Sequence, residues 1–181
     1  MNPKQDGWQE KTDRLLAHPR CAGVKLHPQQ HYWPVDEVRC SDSVFSFAHE
    51  RGILVLTHTG HPGNESERFI PWANRYPHAR LILAHIGNDH VSSRPDTQTE
   101  AVRSAEHGNV WTDTSSSMSI KARIIENAAE RIGADRILVG TDTPLYFAAM
   151  QKARIAYAEI DDEAKQRILH DNAVGLLEGV A

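Results

Sequence analysis

The sequence predicts an α/β protein in which β-strands and α-helices alternate around a parallel sheet. Three short apolar runs carry this prediction, and each has a polar His or Asp near its carboxyl end: residues 53–60, 80–87 and 137–144. Segments with helical spacing of apolar residues lie between them, which is the pattern of repeated βα units. The carboxyl ends of parallel strands lie at one edge of a sheet, so His58, His85 and Asp142 should meet there.

The amino-terminal part of the chain predicts three helices and three strands. Apolar residues among charges from residue 8 to 17 indicate a modest amphipathic helix. Ser41 or Asp42 can cap a second helix, which Gly52 ends. A third helix around residues 69–75 tolerates Pro71 only in its first turn. The short apolar runs of this part predict strands at residues 21–26, 53–58 and 80–85.

The carboxyl-terminal part continues the alternation. Thr97 and Glu100 have the spacing of a capping box that opens a helix. Gly133 follows an amphipathic helical pattern and is expected to end it, and Asp161 can cap another helix. The predicted strands are residues 110–113 and 137–139, and the predicted helices are residues 97–105, 120–132, 145–158, 161–169 and a final helical turn to residue 177.

Polar residues recur at strand ends with an even spacing. Lys25, His58, His85, Asp113 and Asp142 lie 27 to 33 residues apart, each at or next to the carboxyl end of a predicted strand. An open doubly wound sheet and a β/α barrel both place functional groups at this edge. Because the sequence has no G-x-G-x-x-G or P-loop pattern, nucleotide-binding folds are disfavoured.

Composition excludes several classes of function. The 181 residues carry a formal charge of −4 with scattered Lys and Arg, so we expect no nucleic-acid partner. No apolar run is long enough to span a membrane, and the first residues lack a signal-peptide core, so we expect a cytoplasmic protein with no membrane partner. The two cysteines are expected to be reduced. We expect a single domain over residues 1–181.

A series of motifs at these strand ends resembles the amidohydrolase superfamily. It is most similar to the amidohydrolase-related branch that also contains aminocarboxymuconate-semialdehyde-type decarboxylases. The motifs occur in order over residues 20 to 175 and are Gly23-Val24-Lys25-Leu26-His27-Pro28, Thr57-His58-Thr59-Gly60, Leu83-Ala84-His85-Ile86-Gly87, Asp113-Thr114-Ser115-Ser116, Gly140-Thr141-Asp142-Thr143-Pro144 and Asn172-Ala173.

The resemblance implies a parallel (β/α)8 TIM barrel with a divalent metal centre. His58 would be the fifth-strand metal ligand, and Asp142 the eighth-strand ligand and proton carrier. His85 would be the sixth-strand histidine that binds metal or polarises the substrate. Zinc accepts imidazole and carboxylate ligands, so zinc is the expected metal, with manganese or another divalent ion as the alternative.

The family's first strand supplies an H-x-H or E-x-H pair, and no H-x-H occurs in this sequence. The chain therefore resembles strands four to eight of the barrel, which is an incomplete barrel. Such a sheet would have open edges at the strands near Cys21 and Ile137. We expect another copy of the chain, or a chain that carries the missing strands, to cover them.

The implied activity is hydrolysis of an amide, lactone or ester of a small molecule through a metal-activated water. Lys25, His27 and His61 are candidate substrate-binding residues. Asp113 and Ser115 to Ser117 are expected to cap backbone groups and position neighbouring residues, and not to catalyse. His31, Tyr32, Trp33 and His90 are further candidates for the wall of a pocket. The alternatives are a chain that folds by oligomerisation without turnover and a metal-dependent decarboxylase.

Overall fold

The computed structural model describes residues 1–116 and 120–179. Within them, parallel strands form one sheet in the order β1-β2-β3-β4-β5, so each strand neighbours the next along the chain. Helices connect the strands, as the predicted alternation requires. The strands are β1 (Gly23–Leu26), β2 (Leu54–His58), β3 (Arg80–Ala84), β4 (Val110–Asp113) and β5 (Ile137–Leu138).

The helices lie between and after the strands. Short 3-10 segments precede α3 and β5, and one turn of π-helix, Arg167–Asp171, joins the last two α-helices. The α-helices are α1 (Trp8–Leu16), α2 (Val38–Arg51), α3 (Ile70–Arg75), α4 (Thr97–Ser104), α5 (Ile124–Ile132), α6 (Ala148–Ala156), α7 (Asp162–Gln166) and α8 (Asn172–Glu178).

One face of the sheet, the outer face, packs against helices. Val24 pairs in register with Val55, and Val55 pairs with Leu81, so these side chains lie on one face. They belong to a buried cluster with Phe45 of α2 and Ile70 of α3. Removal of this apolar surface from water is the main stabilisation of the sheet against its helices.

The opposite face, the inner face, changes from apolar to polar along the strands. Leu54 and Ile82 pack with Leu176 of α8 in a second cluster near the amino ends of the strands. Arg80 donates a hydrogen bond of 2.8 Å to the carbonyl oxygen of Leu176, which holds α8 at this end. Lys25 occupies the same face in register with Leu56. The carboxyl half of the inner face is therefore left for polar side chains.

Three predicted helix starts are wrong. α2 begins at Val38, so Ser41 lies within the helix and does not cap it. The Ser41 hydroxyl donates instead to the carbonyl oxygen of Val35, in the loop before α2. α5 begins at Ile124 instead of residue 120, because Arg123 has a left-handed φ of 56°. α6 begins at Ala148 instead of residue 145. The predicted Asp161 cap is confirmed by a 2.7 Å hydrogen bond from the Ala164 amide.

The two outer strands each pair with a single neighbour. Among the residues described, β1 pairs only with β2 and β5 only with β4, which matches the expected open edges. A closed TIM barrel has eight strands, so this sheet is a partial barrel. In the same part of the chain, no helix has the length and apolar character that crossing a membrane requires.

Candidate functional site

The carboxyl ends of the strands converge on one cavity of about 300 Å³. His58 is the last residue of β2, and His85 directly follows β3. Asp142 lies on the loop after β5, with a left-handed φ of 55°. The residues that line the cavity are Lys25, His27, His58, His85, Asn88, His90, Ser116, Asp142, Leu145 and Tyr146.

A second cavity of about 320 Å³ lies beside the first, against the inner face of the sheet. Lys25, His85 and Asp142 line both cavities. Leu56 and Ile82 belong to the second, so its wall joins apolar strand residues to the polar edge. The predicted residues at the strand ends therefore border one continuous polar region.

His85 connects two other site residues through its imidazole. Its Nε2 lies 3.0 Å from Nδ1 of His58, and its Nδ1 lies 2.7 Å from the Ser115 hydroxyl. The Ser115 hydroxyl in turn contacts the carboxylate of Asp113. Asp113 Oδ1 also accepts the backbone amides of His85 at 3.0 Å and Ser115 at 2.9 Å. Both ring nitrogens of His85 are thus engaged within the protein.

Gln98 of α4 fixes the loop that carries His85. The Gln98 side chain is fully buried, and its Nε2 donates to the carbonyl oxygens of His85 at 2.9 Å and Asn88 at 3.0 Å. Its Oε1 accepts the Gly87 amide at 3.0 Å. His85 itself has a left-handed φ of 71°, a conformation that non-glycine residues adopt only when their surroundings hold it.

Four histidine rings form a stacked column at the mouth of the site. His27 stacks on His58 with centroids 4.1 Å apart, and His61 stacks on His58 at 5.1 Å. His90 continues the column by stacking on His61 at 4.3 Å. The column brings the loop residues His27 and His61, which the sequence marked as candidates, into contact with the strand-end His58.

Burial keeps the central imidazoles of the site neutral. Desolvation, followed by the proximity of His27 and His85, lowers the pKa of His58 to about 2. Desolvation and the proximity of Lys25 lower the pKa of His27 to about 4. The pKa of His85 is also lowered, mainly by desolvation, against an opposing effect of Asp113. Neutral imidazoles are the form that coordinates metal ions.

Lys25 lies among the carboxylates of the site. Desolvation lowers the pKa of its ammonium group, and the negative charges of Asp113 and Asp142 oppose that shift. The lysine therefore places a cation next to Asp142 on the inner face. An ammonium group in this position can bind an anionic or carbonyl oxygen of a small molecule.

The donor atoms of the site allow a test of whether a divalent metal fits. His58 Nε2 is buried and has no hydrogen-bond partner among the described residues. A buried polar atom without a partner is destabilising, and an ion is one of the groups that can satisfy it. Asp142 adds a carboxylate on the same cavity. Imidazole nitrogen and carboxylate oxygen are both ligand types that a divalent metal such as zinc accepts.

The described residues do not supply a complete coordination shell. No group of three His, Cys, Asp or Glu side chains in residues 1–116 and 120–179 is arranged to hold a metal ion. Catalytic zinc sites have three protein ligands and a water. A catalytic zinc site built on His58 and Asp142 would therefore need at least one further protein ligand.

The structure brings most of the candidate residues together. Lys25, His27, His58, His85 and Asp142 line one cavity, and His61 reaches it by stacking on His58. His90 also lines the cavity. Of the other candidates, Trp33 is buried in the core and Tyr32 is 87% exposed, so neither forms its wall, and Ser117 lies outside the described residues.

The sequence did not indicate several residues of the site: Asn88, Leu145 and Tyr146, which line the cavity, and Gln98. Asn88 lines the cavity, and its buried Oδ1 has no hydrogen-bond partner within the described chain. Gln98 braces the loop from α4, the helix that follows β3 along the chain. The one available signal for Gln98 is a long amide side chain on the buried side of α4.

Comparison with known proteins identifies the family of the chain and the class of its fold. The family description "Amidohydrolase" matches residues 3–178, which is nearly the whole chain. The chain therefore belongs to the amidohydrolase family. This finding confirms the resemblance seen at the strand ends. A comparison with curated proteins gives no match.

Solved structures support the TIM-barrel assignment. An uncharacterized TIM-barrel protein from Bordetella bronchiseptica has a TM-score of 0.75 at 21% identity, over 94% of this chain and 62% of that one. A putative 2-pyrone-4,6-dicarboxylic acid hydrolase from Pseudomonas putida has a TM-score of 0.72 at 17% identity, over 100% of this chain and 71% of that one.

A third similar structure contains a metal. A dihydroxybenzoic acid decarboxylase from Polaromonas, with bound manganese and the inhibitor 2-nitroresorcinol, has a TM-score of 0.70 at 14% identity. The match covers 94% of this chain and 64% of that one. The chain thus spans about two thirds of the length of the structures it resembles. At these identities the likeness establishes the fold.

Proposed function

We propose that the chain forms the larger part of a metal-dependent hydrolase that acts on an amide, lactone or ester of a small molecule. The observation that carries this proposal is the buried Nε2 of His58, which has no hydrogen-bond partner among the described residues and lies on a cavity that His58 shares with Asp142. Membership of the amidohydrolase family supports it.

His58 and Asp142 would hold the metal, for which zinc is the first candidate and manganese the second. When bound, such an ion polarises a carbonyl group and lowers the pKa of a coordinated water to about 7. The Asp142 carboxylate would accept a proton from the attacking water and pass it to the leaving group. The remaining ligand would come from outside the described residues.

His85 has two roles open to it by resemblance, metal ligand or substrate contact. Because Ser115 and His58 occupy its two ring nitrogens, the geometry favours contact with His58 and the substrate over direct coordination. His85 lines the cavity, so a small movement of its ring would bring the lone pair of Nε2 to a proton donor, such as a substrate hydroxyl or the attacking water. We propose this as its catalytic role.

Lys25, His27 and His61 would bind the substrate. The Lys25 ammonium group offers charge to a carboxylate or carbonyl oxygen, and the neutral His27 ring offers a hydrogen bond at the mouth of the cavity. His61 and His90 extend the stacked column toward solvent. These groups suit a small, polar and partly anionic substrate.

A decarboxylase is the second candidate function. The observation that favours it is the Lys25 cation next to Asp142, because an ammonium group can orient a substrate carboxylate as well as a carbonyl. A similar solved structure is that of a dihydroxybenzoic acid decarboxylase. The two functions differ in their products, since only decarboxylation releases CO2.

Metal content tests the proposal. The chain, purified without chelator, is titrated with zinc and with manganese while bound metal is measured by elemental analysis and calorimetry. We expect one metal site that His58→Ala or Asp142→Ala weakens strongly. The matched exposed controls His18→Ala and Asp162→Asn should leave it unchanged, and circular dichroism should show that each variant folds.

Turnover is then assayed on a panel of lactones, esters and amides, with CO2 release recorded in parallel. Ester or lactone hydrolysis that requires His58 and Asp142 supports the hydrolase, and CO2 release without hydrolysis supports the decarboxylase. Metal binding that neither variant affects would contradict the proposed site. A folded, metal-free oligomer without turnover would support the non-catalytic alternative.

A further inference from the structure

We infer that Asp113 and Ser115 are positioning residues that set the tautomers of His85 and His58. The chain of hydrogen bonds would run from His58 to His85, to Ser115 and to Asp113. It would leave Nε2 of His58 without a proton, as an electron-pair donor. The metal-binding role of His58 in this inference rests on the proposed function, whereas the hydrogen-bond directions are argued from the contacts of this chain alone.

The direction of the chain starts at Asp113. Its Oδ1 accepts the backbone amides of His85 at 3.0 Å and Ser115 at 2.9 Å, so this oxygen acts as an acceptor. The third group on the same oxygen is the Ser115 hydroxyl. A hydroxyl carries a single proton, and on this carboxylate oxygen it is the donor.

The direction then passes to His85. Because the Ser115 proton points to Asp113, the hydroxyl oxygen can only accept from His85 Nδ1 at 2.7 Å. His85 Nδ1 therefore carries the proton of the neutral ring. Its Nε2 is then the acceptor, since a neutral imidazole has one donor and one acceptor nitrogen.

The last link fixes His58. Its Nδ1 lies 3.0 Å from His85 Nε2 and must donate to it. The remaining nitrogen, Nε2, then has a lone pair and no proton. This is the buried atom that lacks a partner within the described residues, so the chain presents a ligand nitrogen where a partner is missing.

Reversed hydrogen bonds would place the proton of each imidazole ring on the other nitrogen. If Ser115 donated to His85 Nδ1, then His85 Nε2 would donate to His58, and His58 Nε2 would carry a proton. That arrangement would set the Ser115 oxygen against the Asp113 carboxylate without a proton between them. It would also leave His58 unable to bind a cation through Nε2.

The test measures the tautomers directly. The full chain is labelled with 15N-histidine and kept free of metal, and long-range 1H–15N correlation spectra report which nitrogen of each ring is protonated. His58→Gln and His85→Gln assign the signals. We expect protons on Nδ1 of both rings in the unsubstituted protein. A proton on Nε2 of either ring would overturn the inference.

Substitutions at Ser115 test the relay. Ser115→Ala removes the hydroxyl that accepts from His85 Nδ1, so the Nε2-protonated form of His85 should gain population, and the tautomer of His58 should change with it. Ser115→Thr keeps the hydroxyl and should keep the original pattern. Ser104→Ala, an exposed serine on α4, is the matched control. Unchanged tautomers in folded Ser115→Ala would overturn the relay.

Zinc titration separates the relay from the proposed function. Loss of a group that is hydrogen-bonded to a metal ligand typically weakens metal affinity about 10- to 100-fold. Ser115 acts on His58 only through His85, so Ser115→Ala should bind zinc more weakly than Ser115→Thr, by up to about tenfold. Equal zinc affinities of Ser115→Ala and Ser115→Thr would show that the hydrogen-bond chain does not prepare His58 to bind metal. If the unsubstituted chain binds no zinc, the proposed function fails, whereas the tautomers still decide the hydrogen-bond direction.

Discussion

The Nε2 atom of Gln98 donates a 2.9 Å hydrogen bond to the carbonyl oxygen of His85, across thirteen positions of sequence. The same amide group binds the carbonyl oxygen of Asn88 and the amide of Gly87. A fully buried side chain of one helix thus holds the backbone of the loop that supplies the central histidine of the site.

Replacement of Gln98 should destabilise this loop. Gln98→Leu would leave the buried Gly87 amide and Asn88 carbonyl without these partners, whereas the His85 carbonyl would keep its bond from the Asn88 amide. Each unpaired buried group costs roughly 1–3 kcal/mol. We expect the free energy of unfolding to fall by about 3 kcal/mol in urea denaturation followed by circular dichroism. Gln166→Leu, on an exposed part of α7, is the control. A loss below about 1 kcal/mol would show that the brace matters little.

Two glycines should respond oppositely to alanine. Gly87 has a φ of 81°, and a Cβ there would overlap the Ile124 side chain, so Gly87→Ala should lower the unfolding free energy by about 1–3 kcal/mol. Gly175 lies within α8 with open space around it, so Gly175→Ala should raise that energy by about 0.5–1 kcal/mol. Chemical denaturation of both variants measures these changes. Changes of the same sign would contradict the described backbone.

Cys40 should make stability depend on pH in the alkaline range. Burial, followed by its hydrogen bond to Glu37, raises the pKa of the thiol to about 11. The unfolded thiol ionises near its ordinary pKa of about 9, whereas the folded thiol stays neutral, so stability should fall between pH 9 and pH 11. Denaturation at several pH values measures the effect. Cys40→Ala should flatten this fall, and Cys21→Ala should leave it in place.

The open outer edges of β1 and β5 should promote association. Unpaired strand edges offer backbone donors and acceptors to another chain. We therefore expect the purified chain to form dimers or larger oligomers in size-exclusion chromatography with light scattering. A concentration-independent mass of 20.3 kDa would contradict this prediction. Addition of a polypeptide that carries the remaining barrel strands should compete with self-association if it occupies the same edges.

The fold was predictable because its signals are local and periodic. Apolar runs that end in His58 and His85 mark the strands, and the helical patterns between them require a parallel sheet. Helix starts were less predictable, because they depend on tertiary contacts. Ser41 has the chemistry of a cap, yet it lies inside α2 and bonds back to the loop before it.

For the site, the sequence predicts which residues lie at the same edge of the sheet. The regular spacing placed His58, His85 and Asp142 together, and they line one cavity. The contacts among them depend on side-chain orientation between separate strands, which no spacing encodes. The hydrogen bond from His85 to Ser115 and the brace by Gln98 each join groups that are far apart in sequence.

The inner face of the sheet is apolar at the amino ends of the strands and polar at their carboxyl ends, so stability and chemistry depend on different parts of it. Leu54 and Leu176 belong to the apolar cluster at the amino ends of the strands, while Lys25 and His58 border the cavity at the other end. Residues in the apolar half can therefore be exchanged to tune thermal resistance without touching the reactive edge. A directed-evolution campaign on this chain can treat the two halves as separate libraries.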